Sequence, residues 1–324
     1  MNASYSAHPE SRQALTAGII CYLIWGVIPL AFQQMGAHGA DPWEILAHRS
    51  MWGVVWAAGL VILARQSSQI MTVLRDPRTF GFLLLSSLVI ATNWVTYILA
   101  VNNGRTLDAA LGYYLNPLLN MAAGAWLFRE KITRIGFVAI GLAVIGVVIQ
   151  TIALGHAPWI SLILACSFSL YGIIRKRVSA DAQTGLFIEC LILSVPALAW
   201  VIWLQLSGQG HFGTAWPISL WLLFSGPLTV IPLMLFSWAA RRMPLSTMGF
   251  LQYIAPTMVF VIGMLQGESL GLLRGISFGF IWAAVAIFTA GAVHNARKKA
   301  AAITEFEPGL VTTPQERNPD NRPD

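Results

Sequence analysis

Apolar residues in this chain come in long blocks, neither alternating as in a half-buried strand nor forming the stripe of a surface helix. Ten blocks come close to the roughly 20 residues, within a range of about 17 to 25, that carry a helix across a bilayer. They are Ala14–Phe32, Glu44–Ala64, Arg78–Val101, Leu107–Phe128, Arg134–Ile152, Pro158–Ile174, Gln183–Leu206, Ser219–Ala240, Leu245–Gln266 and Arg274–His294. The pattern predicts an all-α membrane protein of ten transmembrane helices joined by short connections. Residues 1–13 form a polar N-terminal tail. Beyond residue 295 the composition turns polar and Pro-containing, so residues 296–324 are expected to form a disordered tail.

Composition supports the same class. Hydrophobic residues make up 56 % of the chain and charged residues 10 %, with a mean hydropathy of +0.65. A soluble surface needs about a quarter of its residues charged. The net charge of +6 does not point to nucleic acid, because Lys and Arg cluster between the apolar blocks. Of 20 basic residues, 17 fall on one side of the predicted membrane and two (Arg105 and Arg274) on the other, while Arg49 lies within a block. The positive-inside rule then places both termini in the cytoplasm, which requires an even number of spans, and a multi-pass helical chain of this kind is expected in the cell inner membrane. Cys21, Cys166 and Cys190 lie inside apolar blocks without metal-site spacing and read as small core residues. No cleavable signal peptide is recognisable.

A repeat is visible at half length. Trp25-Gly26 is echoed by Tyr171-Gly172, Glu44 by Glu189, Asn116-Pro117 by Ala255-Pro256, and Arg129-Glu130 by Gly267-Glu268. The chain thus divides into five-helix repeats at 14–152 and 153–295. Because five is odd, the second enters the membrane in the opposite sense. Such an inverted pair underlies alternating access around a site near the midplane.

Polar groups inside apolar blocks are costly and mark cavities or partners. Glu189 lies about two turns into the seventh block and is a candidate proton-coupling residue, or a structural acid bonded to a neighbouring helix. Glu44 and His48 share a face at i, i+4. Arg49 offers a fork for a carboxylate, or an ion pair with Glu44 or Glu189. Asn93 and Tyr97, with Trp94 beside them, and Tyr113 and Asn116 form polar stripes that must face protein or a wet cavity. Amides also serve as interhelical glue, so both roles stay open. Trp25, Tyr171, Gln252 and Tyr253 complete a candidate lining, and Pro117 and Pro256 mark kinks or breaks in paired helices. Gly271, Gly275 and Gly279 suggest close helix packing.

Several of these segments carry a resemblance to a known family. Tyr22-Leu23-Ile24-Trp25-Gly26, Glu44-Ile45-Leu46-Ala47-His48-Arg49, Asn93-Trp94, Gly112-Tyr113-Tyr114-Leu115-Asn116-Pro117 and Leu251-Gln252-Tyr253-Ile254-Ala255-Pro256 resemble the EamA family of the drug/metabolite transporter superfamily, and within it the RarD-type proteins. The resemblance spans about residues 12 to 295. It implies two inverted five-helix repeats around a central cavity, and secondary transport of a small organic metabolite or drug-like molecule, with export the expected direction. The bilayer and the substrate are the implied partners, with the proton as candidate coupling ion and no cofactor or metal. An integral-membrane enzyme or a membrane sensor is the competing class. The scattered histidines and the absence of a phosphate-binding loop weigh against an enzyme and against a built-in nucleotide motor.

Overall fold

The computed structural model describes residues 9–128, 133–175, 177–240, 242 and 251–306, and all regular structure among them is helical. The helices are α1 (Pro9–Ala37), α2 (Pro42–Leu63), α3 (Ser67–Arg75), α4 (Pro77–Asn102), α5 (Thr106–Phe128), α6 (Arg134–Leu154), α7 (Trp159–Arg175), α8 (Ala182–Leu206), α9 (Trp216–Ala240), α10 (Ile254–Leu265) and α11 (Leu272–Phe306). Seven of them contain stretches long and apolar enough to cross a membrane, and α7 and α10 are shorter apolar helices. The protein is an all-α, multi-pass membrane protein. Large apolar side chains such as Val195 and Leu206 point outward, 70 % and 84 % exposed, a surface suited to lipid rather than water.

Local signals set the helix starts. Asp41 and Asp76 each precede a proline, and each side chain accepts the first free backbone N–H groups of its helix, α2 and α4. Thr133 caps α6 in the same way, accepting from the Gly136 N–H at 3.1 Å.

Three expectations need correction. The connection after α2 holds a further helix, α3, whose Ile70, Val73 and Leu74 recur at helical spacing and whose Val73 packs with Leu83 and Ile188. The expected tail is helical as far as Phe306, because Lys298 to Ala302 is a run of strong helix formers. Within the chain, Gly271 and Gly279 seat no neighbouring helix: a Cβ at either would meet nothing within 4 Å. The approach of α6 to α11 uses Gly146 instead, whose carbonyl accepts the Ser277 hydroxyl at 2.7 Å. Of the cysteines, Cys21 and Cys190 are buried as expected, whereas Cys166 is exposed. The ninth apolar block is described from Leu251 on, and its first residues lie outside the described set.

The helices pack in a definite pairing. α2 lies on α8, α5 on α10, and α6 on α11; α1 contacts α9 and α10, α4 contacts α7 and α8, α2 also contacts α9, and α5 also contacts α7. The α2–α9 contact is close, since a Cβ on Gly226 would fall 2.8 Å from the Trp52 carbonyl carbon.

Polar contacts sort the connections to two ends. At one end Glu44 of α2 meets His211 in the α8–α9 connection, and Gln33 of α1 bonds reciprocally with Gln266 beyond α10. There too Glu268 accepts from the Thr106 and Leu107 N–H groups that open α5, and Arg274 pairs with Asp108 at 2.9 Å. At the other end Gln66 meets Gln183 and Thr184, Gln69 meets Asp181, and Arg175 reaches the Ala182 carbonyl. We refer to these as the His211 end and the Arg175 end.

Candidate functional site

Arg49 follows His48 in the second turn of α2 and is carried into the interior, where it is 7 % exposed. Its guanidinium carbon lies 4.1 Å from the Trp94 ring centroid and 5.3 Å from that of Phe32. Phe32 meets Tyr97 edge-on at 6.2 Å, and Tyr97 meets Tyr113 at 5.5 Å. Helices α1, α2, α4 and α5 therefore gather one cation and four aromatic rings. Arg49 Nε is enclosed without a hydrogen-bond partner, and among the described residues no carboxylate pairs with the guanidinium. Neither ion pair considered for Arg49 forms, because both carboxylates are engaged elsewhere.

Glu44 is held by the His211 backbone N–H at 2.7 Å and by His211 Nδ1 at 2.8 Å. Glu189, 1 % exposed, accepts the Ser86 hydroxyl at 2.5 Å and the Tyr171 hydroxyl at 3.1 Å. Arg175 Nη1 stands 3.7 Å from its Oε1, a charge contact longer than a hydrogen bond. Three helices, α4, α7 and α8, thus converge on this carboxylate. It does not share a contact with Arg49 or His48. A line of rings joins the two charged centres: Tyr113 to Phe168 at 6.0 Å, then Phe168 to Tyr171 at 6.3 Å.

The other candidates separate by how their polar atoms are satisfied. The Asn93 amide donates to the Leu164 carbonyl and the Ser167 hydroxyl, both at 3.0 Å, and accepts from Tyr113 at 3.0 Å. It ties α4 to α7 and α5. Asn116 is as buried, yet neither of its amide atoms has a partner. His48 stacks on Phe212 at 5.0 Å with both ring nitrogens unpartnered, and Phe212 in turn meets Trp52 at 5.9 Å, apart from the Arg49 ring cluster. Trp25 packs against Tyr22 and Phe236, at 5.4 and 5.9 Å. Tyr253 stacks on Tyr114 at 6.3 Å, its hydroxyl unpartnered. Gln252 and Tyr253 form a turn before α10, so Pro256 falls in that helix's first turn, where a missing N–H costs nothing, whereas Pro117 lies within an unbroken α5.

The sequence pattern did not single out Phe32, Ser86, Phe168, Arg175 or His211. Arg175 read as one of the topology-setting basic residues, and the apolar blocks hid Phe32 and Phe168. The one available signal was Ser86 in an apolar block, a weak cue. Among the described residues no group of three or more His, Cys, Asp or Glu converges to hold a metal.

The EamA-like transporter family matches residues 12–152. Protein RarD of Streptomyces exfoliatus is 39 % identical over 95 % of this chain and 98 % of its own length. Protein RarD of Escherichia coli K12 is 37 % identical over 89 % and 98 %, respectively. An uncharacterized transporter of Vibrio cholerae is 38 % identical over 89 % and 97 %. A crystal structure 18 % identical in sequence shares the fold, with a TM-score of 0.58 over 86 % of this chain and 98 % of that one. Sequence and fold together place the chain in the EamA family of membrane transporters, with the RarD-type proteins.

Proposed function

We propose that the chain is a secondary transporter that works by alternating access, its ten crossings formed by every described helix except α3. The observation that carries this reading is the helix pairing. Exchanging α1 with α7, α2 with α8, α4 with α9, α5 with α10 and α6 with α11 maps the most extensive interhelical contacts onto one another: α1–α9 becomes α7–α4, α5–α7 becomes α10–α1, and α2–α9 becomes α8–α4. The pairs α2–α8, α5–α10 and α6–α11 map onto themselves. Two halves related in this way can exchange conformations, closing the path at one end as it opens at the other. The Arg175 end carries the Lys/Arg excess and is assigned to the cytoplasm, with both termini.

In this reading a small organic solute occupies the interior between the halves. Arg49, Trp94, Tyr97 and Tyr113 form one wall, and the unpartnered polar groups of His48, Asn116 and Tyr253 wait for solute or water elsewhere. Trp25 and Phe236 close the wall toward α9, while Asn93 and Tyr171 position Tyr113 and Glu189. Glu189 binds and releases the coupling proton, with Arg175 as the charge that compensates it. Export is the expected direction. Proteoliposomes loaded with a nucleotide-depleted cell metabolite extract test the reading. Mass spectrometry should show particular solutes leaving faster than from protein-free vesicles. Identical release from the two would contradict transport.

A further inference from the structure

Arg49 is a buried cation that faces the Trp94 and Phe32 rings, with Tyr97, Tyr113 and Cys190 nearby. A cation against aromatic faces is attracted by the ring quadrupoles, but the rings offer it no hydrogen-bond acceptor in their planes. An Arg inside a membrane span is costly, and such groups pair with a partner or face a water-filled cavity. The enclosed Nε–H of the guanidinium has no acceptor among the described residues. The Tyr113 hydroxyl donates to Asn93, which orients it away from an ionic role.

We propose that Arg49 is the specificity residue of the transport site and that the solute is a small organic monoanion, its carboxylate on the guanidinium and an apolar or aromatic body against Trp94, Phe32 and Tyr97. This rests on the reading of the helix bundle as a transport path, and it adds a chemical class to it. A cationic solute is repelled by Arg49. An inorganic dianion needs several donors around it, and here one side chain supplies them all. A neutral solute leaves the cation uncompensated. A carboxylate takes two parallel N–H bonds from the fork while its body replaces the contact that the rings would otherwise make with water.

The test is the thermal stability of the purified full-length protein in detergent, with three probes of matched shape: phenylacetate, phenylacetamide and phenethylammonium. Phenylacetate should bind at least about tenfold more tightly than the other two, as expected of charge-assisted hydrogen bonds. Arg49→Gln should abolish the preference for the acid over the amide, and Arg49→Lys should restore part of it. Equal binding of acid and amide to the wild-type protein would overturn the proposal without need of any variant. Stabilisation by chloride or inorganic phosphate equal to that by phenylacetate would also overturn it. The extract-loaded vesicles separate this result from the transport reading. Solute release confined to neutral or cationic compounds would refute the monoanion while leaving transport intact. Arg49-dependent acid binding without any release would refute transport while leaving the site intact.

Discussion

Arg49 and Glu189 are placed alike and treated differently. Each lies seven residues beyond the first residue of its helix, Pro42 of α2 and Ala182 of α8, and those two helices pack on one another. At 1.5 Å per residue each is about 10 Å from its own end of the bundle, Arg49 from the His211 end and Glu189 from the Arg175 end. Glu189 has a hydroxyl on each oxygen and an arginine beside it. Arg49 has rings. Burial alone therefore does not identify a binding group. A charge whose partners are built into the fold is part of the fold or of its switching, and one left without partners is poised for a ligand.

Stability offers the strongest contrast. Arg175→Gln leaves Glu189 with its hydroxyl donors but without the compensating charge, and the protein should lose about 3 kcal/mol, the low end of the cost of removing one partner from a buried ion pair. Arg49→Gln removes a cation that no carboxylate supports, and the ligand-free protein should be unchanged or more stable. Thermal unfolding in detergent compares the two. Equal losses would mean that Arg49 has a structural partner and that the contrast is false.

Gly185→Ala should have a smaller effect. A Cβ at Gly185 would overlap the Arg175 guanidinium, which is the free end of a flexible side chain and can move away. The fold should survive while the ion pair to Glu189 is lost, giving an intermediate stability and the proton-coupling defect of Arg175→Gln. Unaltered coupling in Gly185→Ala would show that Arg175 has no part in it.

The smallest effect concerns an exposed charge with good partners. The Thr79 hydroxyl, with the N–H groups of Arg78 and Thr79, holds the Asp76 carboxyl below its usual range. Its stabilisation is present above the unfolded carboxyl's pKa of about 4. It is lost as pH falls through the lower folded value. Asp76→Asn keeps a capping side chain without the titration, so any stability difference from wild type should vanish in acid. A difference that persists there would assign it to something other than the charge.

How much of this was legible in the sequence depends on how local the cause is. The apolar blocks and the Asp-Pro starts of α2 and α4 are local or periodic, and each has its counterpart among the helices. Arg49, Trp94, Tyr97 and Tyr113 were legible as polar or amphipathic residues inside apolar blocks. What each one touches was not. Asn93 and Asn116 look alike in sequence, and only packing shows that one amide is fully bonded and the other is not. Arg175 was hidden for a related reason: a basic residue at a helix end usually marks topology, and its 3.7 Å approach to Glu189 depends on how α7 turns back into α8.

In the proposed cycle Arg49 holds the solute and Glu189 carries the coupling proton. Solute exchange and pH-driven accumulation, measured in the same proteoliposomes with a solute the wild-type protein releases from extract, test it most directly. Arg49→Gln should lose both activities by at least about tenfold. Glu189→Gln should retain exchange and lose accumulation. Accumulation by Glu189→Gln at the wild-type level, or exchange by Arg49→Gln at the wild-type rate, would contradict it.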